Sequence, residues 1–219
     1  MSEHNTLPPA MTEALDEICA QAKVIPVIVI ERLEDAVPLG RALVEGGLPI
    51  LEVTLRSDCA LEAIAAMREA LPEASVGAGT VITVEQYKQV EALGVDFVVT
   101  PGATPALLDY AVTSGSPVLP GIATISELML GMEYGLRRFK FFPAESSGGA
   151  AAIKSFGGPI PQVRFCPTGG IGLANAGDYL KLPNVMCVGG SWVTPKALID
   201  AKDWAGITKL AREAVERFA

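Results

Sequence analysis

The stretch Ile50–Arg56 reads ILEVTLR. Side chains alternate across a strand, so Leu51, Val53 and Leu55 share one face and Glu52, Thr54 and Arg56 share the other. The apolar face asks for a cover of helices. The charged face then points to an interior, where a glutamate and an arginine need partners or a function. A second segment repeats the pattern. In RFKFFP, Arg138–Pro143, Phe139 and Phe141 fall on the covered face, while Lys140 and Phe142 fall on the inner one. Lysine is almost never fully buried unless paired. A glutamate and a lysine from two different strands are thus directed at one interior.

Working outward, six more apolar runs bounded by Gly, Pro or polar residues accompany these two. They are Val24–Ile30, Ser75–Thr80, Asp96–Thr100, Pro117–Gly121, Gln162–Gly169 and Val185–Gly190. Successive starts lie about 21 to 26 residues apart, room for a strand, a short helix and two loops. Helices are expected between many of them. Ala36, Leu39 and Leu43 mark one apolar face. Ser57 or Asp58, Thr83, Thr104 with Pro105, and Thr124 with Glu127 are helix-start signals. Pro8–Ala22 is expected as a helix before the first strand, and Asp203–Ala219 closes the chain with an amphipathic pattern. Strands buried on both faces and alternating with helices argue for a parallel sheet. Closure removes exposed edges. The expected fold is therefore an α/β (β/α)8 TIM barrel with an extra N-terminal helix, one domain over 1–219 with 1–9 as a flexible leader. An open doubly wound sheet is the rival.

Composition narrows the function. The chain has 219 residues, 50% of them hydrophobic, and a formal charge of −8 with no basic cluster. That argues against a nucleic-acid partner. No stretch reaches the length of a membrane span, and the opening residues do not read as a signal peptide. The four cysteines form no CxxC pair and are expected as free thiols, which suits a cytoplasmic protein. The sole histidine is His4, so a His-based metal site or triad is not available in the body of the chain. No metal and no cofactor are expected.

Barrel enzymes keep their chemistry at the C-terminal ends of the strands. Glu52, Arg56, Lys140, Thr80, Thr100 and Thr168 fall there. Burial disfavours the charged form of an amine, and a neutral amine attacks a ketone to form a Schiff base. A carboxylate beside it can shuttle protons. An arginine can hold a substrate carboxylate. A bare buried ion pair between Glu52 and Lys140 is the plainer alternative. The glycine turns Pro167–Gly172 (PTGGIG) and Val188–Trp192 (VGGSW) follow the seventh and eighth strands, where barrels often bind phosphate. Neither is a P-loop.

Taken together, EVTLR (Glu52–Arg56), VGAGTV (Val76–Val81), Pro101–Gly102, LPGIAT (Leu119–Thr124), FKFFPAE (Phe139–Glu145), RFCPTGGI (Arg164–Ile171) and VGGSW closely resemble the 2-keto-3-deoxy-6-phosphogluconate aldolase family. Its members often also act on 4-hydroxy-2-oxoglutarate. The resemblance implies a metal-free class I aldolase, usually a trimer. It implies cleavage to pyruvate and glyceraldehyde 3-phosphate, the last step of the Entner–Doudoroff route. By the same resemblance, Lys140 corresponds to the Schiff-base lysine and Glu52 to the general acid/base. Arg56, Thr80, Pro101 and Phe142 correspond to the pyruvyl site. Thr168, Gly169, Gly170, Gly189, Gly190 and Ser191 correspond to the substrate and phosphate shell. One departure is Thr100, where the family often has Ser. The galactonate epimer and 4-hydroxy-2-oxoglutarate are alternative main substrates, and oxaloacetate decarboxylation would suit the same lysine. A sugar-phosphate-binding barrel without catalysis is the alternative of a different kind.

Overall fold

A computed structural model describes residues 6–219. His4 and the start of the expected leader lie outside the described residues. At the leader's other end, Leu7 is buried and its N–H donates to the Tyr134 carbonyl at 2.8 Å.

The strands are β1 (Val24–Ile28), β2 (Ile50–Thr54), β3 (Ser75–Gly79), β4 (Val98–Val99), β5 (Val118–Leu119), β6 (Gly121–Ile122), β7 (Arg138–Phe141), β8 (Arg164–Pro167) and β9 (Val188–Gly190). All pairings are parallel, in the orders β5-β4-β3-β2-β1-β9 and β6-β7-β8. Bridges Phe165–Val185 and Thr168–Gly189 join the second group to the first. The chain itself joins them at Pro120, so the sheet closes into a barrel. The sequence reads one fifth strand at Pro117–Gly121, whereas the structure has two short ones. Proline has no N–H for a ladder, so the strand changes partner there. β5 pairs with β4, and β6 pairs with β7, while the Pro120 carbonyl accepts from the Lys140 N–H at 2.9 Å.

Ten helices surround the sheet among the described residues: α1 (Pro9–Ala20), α2 (Ala36–Glu45), α3 (Ala60–Ala70), α4 (Val84–Ala92), α5 (Pro105–Ala111), α6 (Ile125–Glu133), α7 (Gly149–Phe156), α8 (Ala176–Leu180), α9 (Lys196–Asp200) and α10 (Trp204–Phe218). Thr83 and Thr104 cap α4 and α5 through their hydroxyls, and Thr124 with Glu127 forms a full capping box on α6. The expected Ser57 or Asp58 cap of α3 is not formed. Cys59 occupies that position, and its thiol donates instead to the Ile30 carbonyl at 3.3 Å. α7, α8 and α9 are additions to the sequence reading.

The outward strand faces pack as the alternation requires. Phe139 lies against Gly131 of α6, where a Cβ would meet its ring at 2.4 Å, and Phe141 meets Phe156 of α7 edge-on at 5.9 Å between centroids. Burying aromatics of this size supplies much of a core's stability. No helix among the described residues is long and apolar enough to cross a membrane.

Candidate active site

β2 and β7 present Glu52 and Lys140 to the barrel interior. The Nζ of Lys140 donates to Glu52 Oε1 at 3.2 Å, and each residue is only 3% exposed. The seven other lysines of the chain are all exposed. Gly79 explains how β3 admits the carboxylate: a Cβ there would stand 2.4 Å from Glu52 Oε1. Gly77 is different, since its missing side chain makes room for the Phe97 ring. The Phe142 ring lies 5.2 Å from the ammonium, closing one side of the pair. Cys166 on β8 is the register partner of Lys140. It also touches Cys187 below, whose thiol is pushed up by contacts with Cys166 and Cys19 and by burial. All four cysteines are free, and Cys59 alone is part-exposed.

Arg56 does not join the pair. It is exposed, and its Nε donates to Thr80 Oγ1 at 3.2 Å. Thr80 holds φ 59°, the left-handed region that a β-branched residue seldom occupies, at about 1–3 kcal/mol. Strain of this kind gathers at functional sites. Thr54, on the same face of β2, is a structural group: its hydroxyl donates to the Ile28 carbonyl at 2.8 Å. Thr100 is structural as well. Its hydroxyl donates to the Gly102 carbonyl at 2.7 Å and accepts from the Gly121 N–H at 3.3 Å, tying the Pro101–Gly102 turn to the register partner of Lys140.

The turns after β8 and β9 form the rest of the mouth. Thr168 is 6% exposed, and its Oγ1 is buried without a hydrogen-bond partner. Such a group costs about 1–3 kcal/mol unless a ligand supplies the bond. Gly189 makes room for it, since a Cβ there would sit 2.3 Å from that oxygen. Gly169 and Gly170 have φ 104° and 75°, which glycine alone adopts cheaply. The turn is zipped to the loop after β7 by Ala144 N–H to Thr168 O at 2.8 Å and Glu145 N–H to Gly169 O at 3.1 Å. The N–H groups of Gly170 and Ile171 donate to no acceptor among the described residues. Gly190 is pressed by Trp192, whose ring would lie 1.8 Å from a Cβ, while Ser191 beside it is exposed. Sequence reasoning missed one support of this turn. The Tyr179 hydroxyl donates to the Glu145 carboxylate, and burial and then that carboxylate push the phenol well above its ordinary pKa. Among the described residues, no three His, Cys, Asp or Glu side chains are grouped to hold a metal ion.

A closed parallel barrel that secludes an amine–carboxylate pair in its interior has the architecture of a barrel enzyme. Comparison with known proteins places it more closely. The KDPG and KHG aldolase family model matches residues 15–210, and the chain belongs to that family. It is 54% identical over 201 residues to the KHG/KDPG aldolase of Escherichia coli, covering 92% of this chain and 94% of that one. It is similar to a crystal structure of KDPG aldolase from Legionella pneumophila with pyruvate captured as a covalent carbinolamine. That likeness has a TM-score of 0.90 and 47% identity over 91% of this chain and 97% of that one. It is also similar to the aldolase of Zymomonas mobilis solved with 3-phosphoglycerate, with a TM-score of 0.89 and 50% identity over 94% and 96% of the two chains.

Proposed function

We propose that the chain cleaves 2-keto-3-deoxy-6-phosphogluconate to pyruvate and glyceraldehyde 3-phosphate through a Schiff base on Lys140. The observation that carries this reading is the Lys140–Glu52 pair, secluded at 3.2 Å at the strand ends. The covalent carbinolamine in the Legionella relative supports it. The lysine amine attacks the C2 ketone, and Glu52 relays protons as the carbinolamine loses water. The iminium then draws electrons from the C3–C4 bond as Glu52 takes the C4 hydroxyl proton. Glyceraldehyde 3-phosphate leaves. The enamine is protonated at C3, and water releases pyruvate and the free amine. Arg56, with Thr80, Pro101 and Phe142, is assigned to the pyruvyl carboxylate end. Thr168 offers its unpaired hydroxyl to substrate.

Borohydride reduction in the presence of pyruvate tests this reading. Peptide mapping should find the adduct on Lys140. An adduct on another lysine would sink the assignment, and none while the chain turns over substrate would overturn the covalent route.

The turns at Gly169–Gly170 and Gly189–Ser191 are assigned to the phosphate. Bulk at Gly190 is a poor probe of this, because it would strike Trp192. Ser191→Ala is cleaner. Losing one hydrogen bond to a charged group should lower kcat/KM for the phosphorylated acid by about tenfold. 4-Hydroxy-2-oxoglutarate should be unaffected. Equal losses on both substrates would return the turn to a structural role. The homotrimer, the cytoplasmic location and the place in the Entner–Doudoroff route belong to this reading through the family resemblance.

A further inference from the structure

Three side chains with no assigned part in the chemistry grip the turn after β8. Asn175 does so with both ends of its amide. Its Oδ1 accepts from the Gly172 N–H at 2.8 Å, and its Nδ2 donates to the Gly170 carbonyl at 3.0 Å. An asparagine just before a helix ordinarily turns its side-chain oxygen onto the first N–H groups of that helix. Asn175 stands in that position before α8 and makes no such bond. Its amide is spent on the turn instead. The backbone adds to the hold, since the Asn175 and Ala176 N–H groups both donate to the Gly172 carbonyl, at 3.2 and 2.9 Å.

Glu145 and Tyr179 hold the other flank. The Glu145 side chain lies against Gly170, where a Cβ would stand 2.7 Å from its Cγ. Its Oε1 accepts from the hydroxyl of the buried Tyr179. Glu145 sits on the loop that leaves β7, the strand of Lys140, whereas Asn175 and Tyr179 come from the start and body of α8. The clamp therefore ties the exit of the lysine strand to the turn that carries Thr168. Within this frame the Thr168 hydroxyl and the N–H groups of Gly170 and Ile171 keep no partner among the described residues. Polar groups left open in a rigid frame are oriented before a ligand arrives, which lowers the cost of ordering them.

We propose that Asn175, Glu145 and Tyr179 are positioning residues that fix the span between the Lys140 amine and this turn, and so tune binding of the far, phosphorylated end of the substrate. The inference rests on the phosphorylated sugar-acid reading above. None of the three acts on the reacting atoms. Glu145 serves as a hydrogen-bond acceptor, and its charge is not what the clamp needs. A carboxylate beside a turn that takes an anion is repulsive, so an amide in its place keeps the bond and removes the repulsion.

The test is steady-state kinetics on both substrates, with inorganic phosphate as a competitive probe of the 4-hydroxy-2-oxoglutarate reaction. Asn175→Ala and Tyr179→Phe should each raise KM for the phosphorylated acid by about 5- to 30-fold, with kcat lowered less, and weaken phosphate inhibition in parallel. Borohydride trapping of pyruvate on Lys140 should stay within about twofold of the wild-type rate, because pyruvate ends short of the turn. Glu145→Gln should hold KM within about threefold, whereas Glu145→Ala should raise it as Tyr179→Phe does. Tyr179→Phe removes one oxygen and keeps the ring, so it carries the same test should the Asn175 variant not fold. Variants that slow trapping and both substrates alike, and melt earlier, would make the clamp merely structural and overturn the inference. A wild-type chain active on the phosphorylated acid, with a KM that Asn175→Ala and Tyr179→Phe leave unmoved, would also overturn it and leave the proposed function standing. A wild-type chain inactive on the phosphorylated acid would overturn both.

Discussion

Lys140→Ala should abolish aldol cleavage, lowering kcat by at least about 10⁴-fold, because the covalent step has no other nucleophile. All seven remaining lysines are exposed, and none faces the barrel interior beside a buried carboxylate. The same change strips Glu52 of its partner at 3% exposure. An uncompensated buried charge costs about 3–5 kcal/mol, so the alanine variant should also melt earlier. Lys140→Arg separates the two effects. It keeps a cation for Glu52 and hence most of the stability, yet a guanidinium cannot form the Schiff base. Both variants should be inactive, and only the alanine variant should lose much thermal stability. An active arginine variant would remove the covalent route. Circular dichroism melts beside a coupled pyruvate assay read both quantities.

The barrel was legible because its strands announce themselves twice. Alternation in ILEVTLR and RFKFFP separates an apolar face from a polar one, and the spacing of the runs leaves one helix between most of them. The same alternation brought Glu52 and Lys140 together, although they lie 88 residues apart. What it could not see was of three kinds. α8 and α9 have five residues each, too short for a helical period to show, and α7 begins on glycine and alanine rather than on a capping side chain. The division of the fifth strand depends on which neighbour each half meets, and Pro120 signals a break without naming the partners. The supports of the site join distant or ambiguous residues. Tyr179 and Glu145 are separated by 34 positions. Thr80, Thr100 and Thr168 read alike as strand-end hydroxyls. Only the fold distinguishes Thr100, tied into a turn, from Thr168, left without a partner.

Glu52→Gln should keep the fold and slow turnover by about 10²–10⁴-fold, the range for a placed proton-transfer group. The amide has nearly the volume of the carboxylate, so it fits the hollow that Gly79 leaves beside it. Its oxygen can still accept from Lys140 Nζ, which preserves the contact that orients the amine. What it loses is the ability to take and return a proton. Addition of the amine, loss of water and C3–C4 cleavage each require such a transfer, and Glu52 is the carboxylate within hydrogen-bond reach of the amine. The loss should therefore fall on kcat, with KM changed little. Borohydride trapping with pyruvate should still label Lys140, but more slowly than in the wild type, because dehydration of the carbinolamine has lost its relay. A structural ion pair would behave in the opposite way: the melting temperature would drop while kcat stayed within tenfold. Measuring kcat, the trapping rate and the melt on the same preparation decides between proton shuttle and plain counter-ion for Glu52.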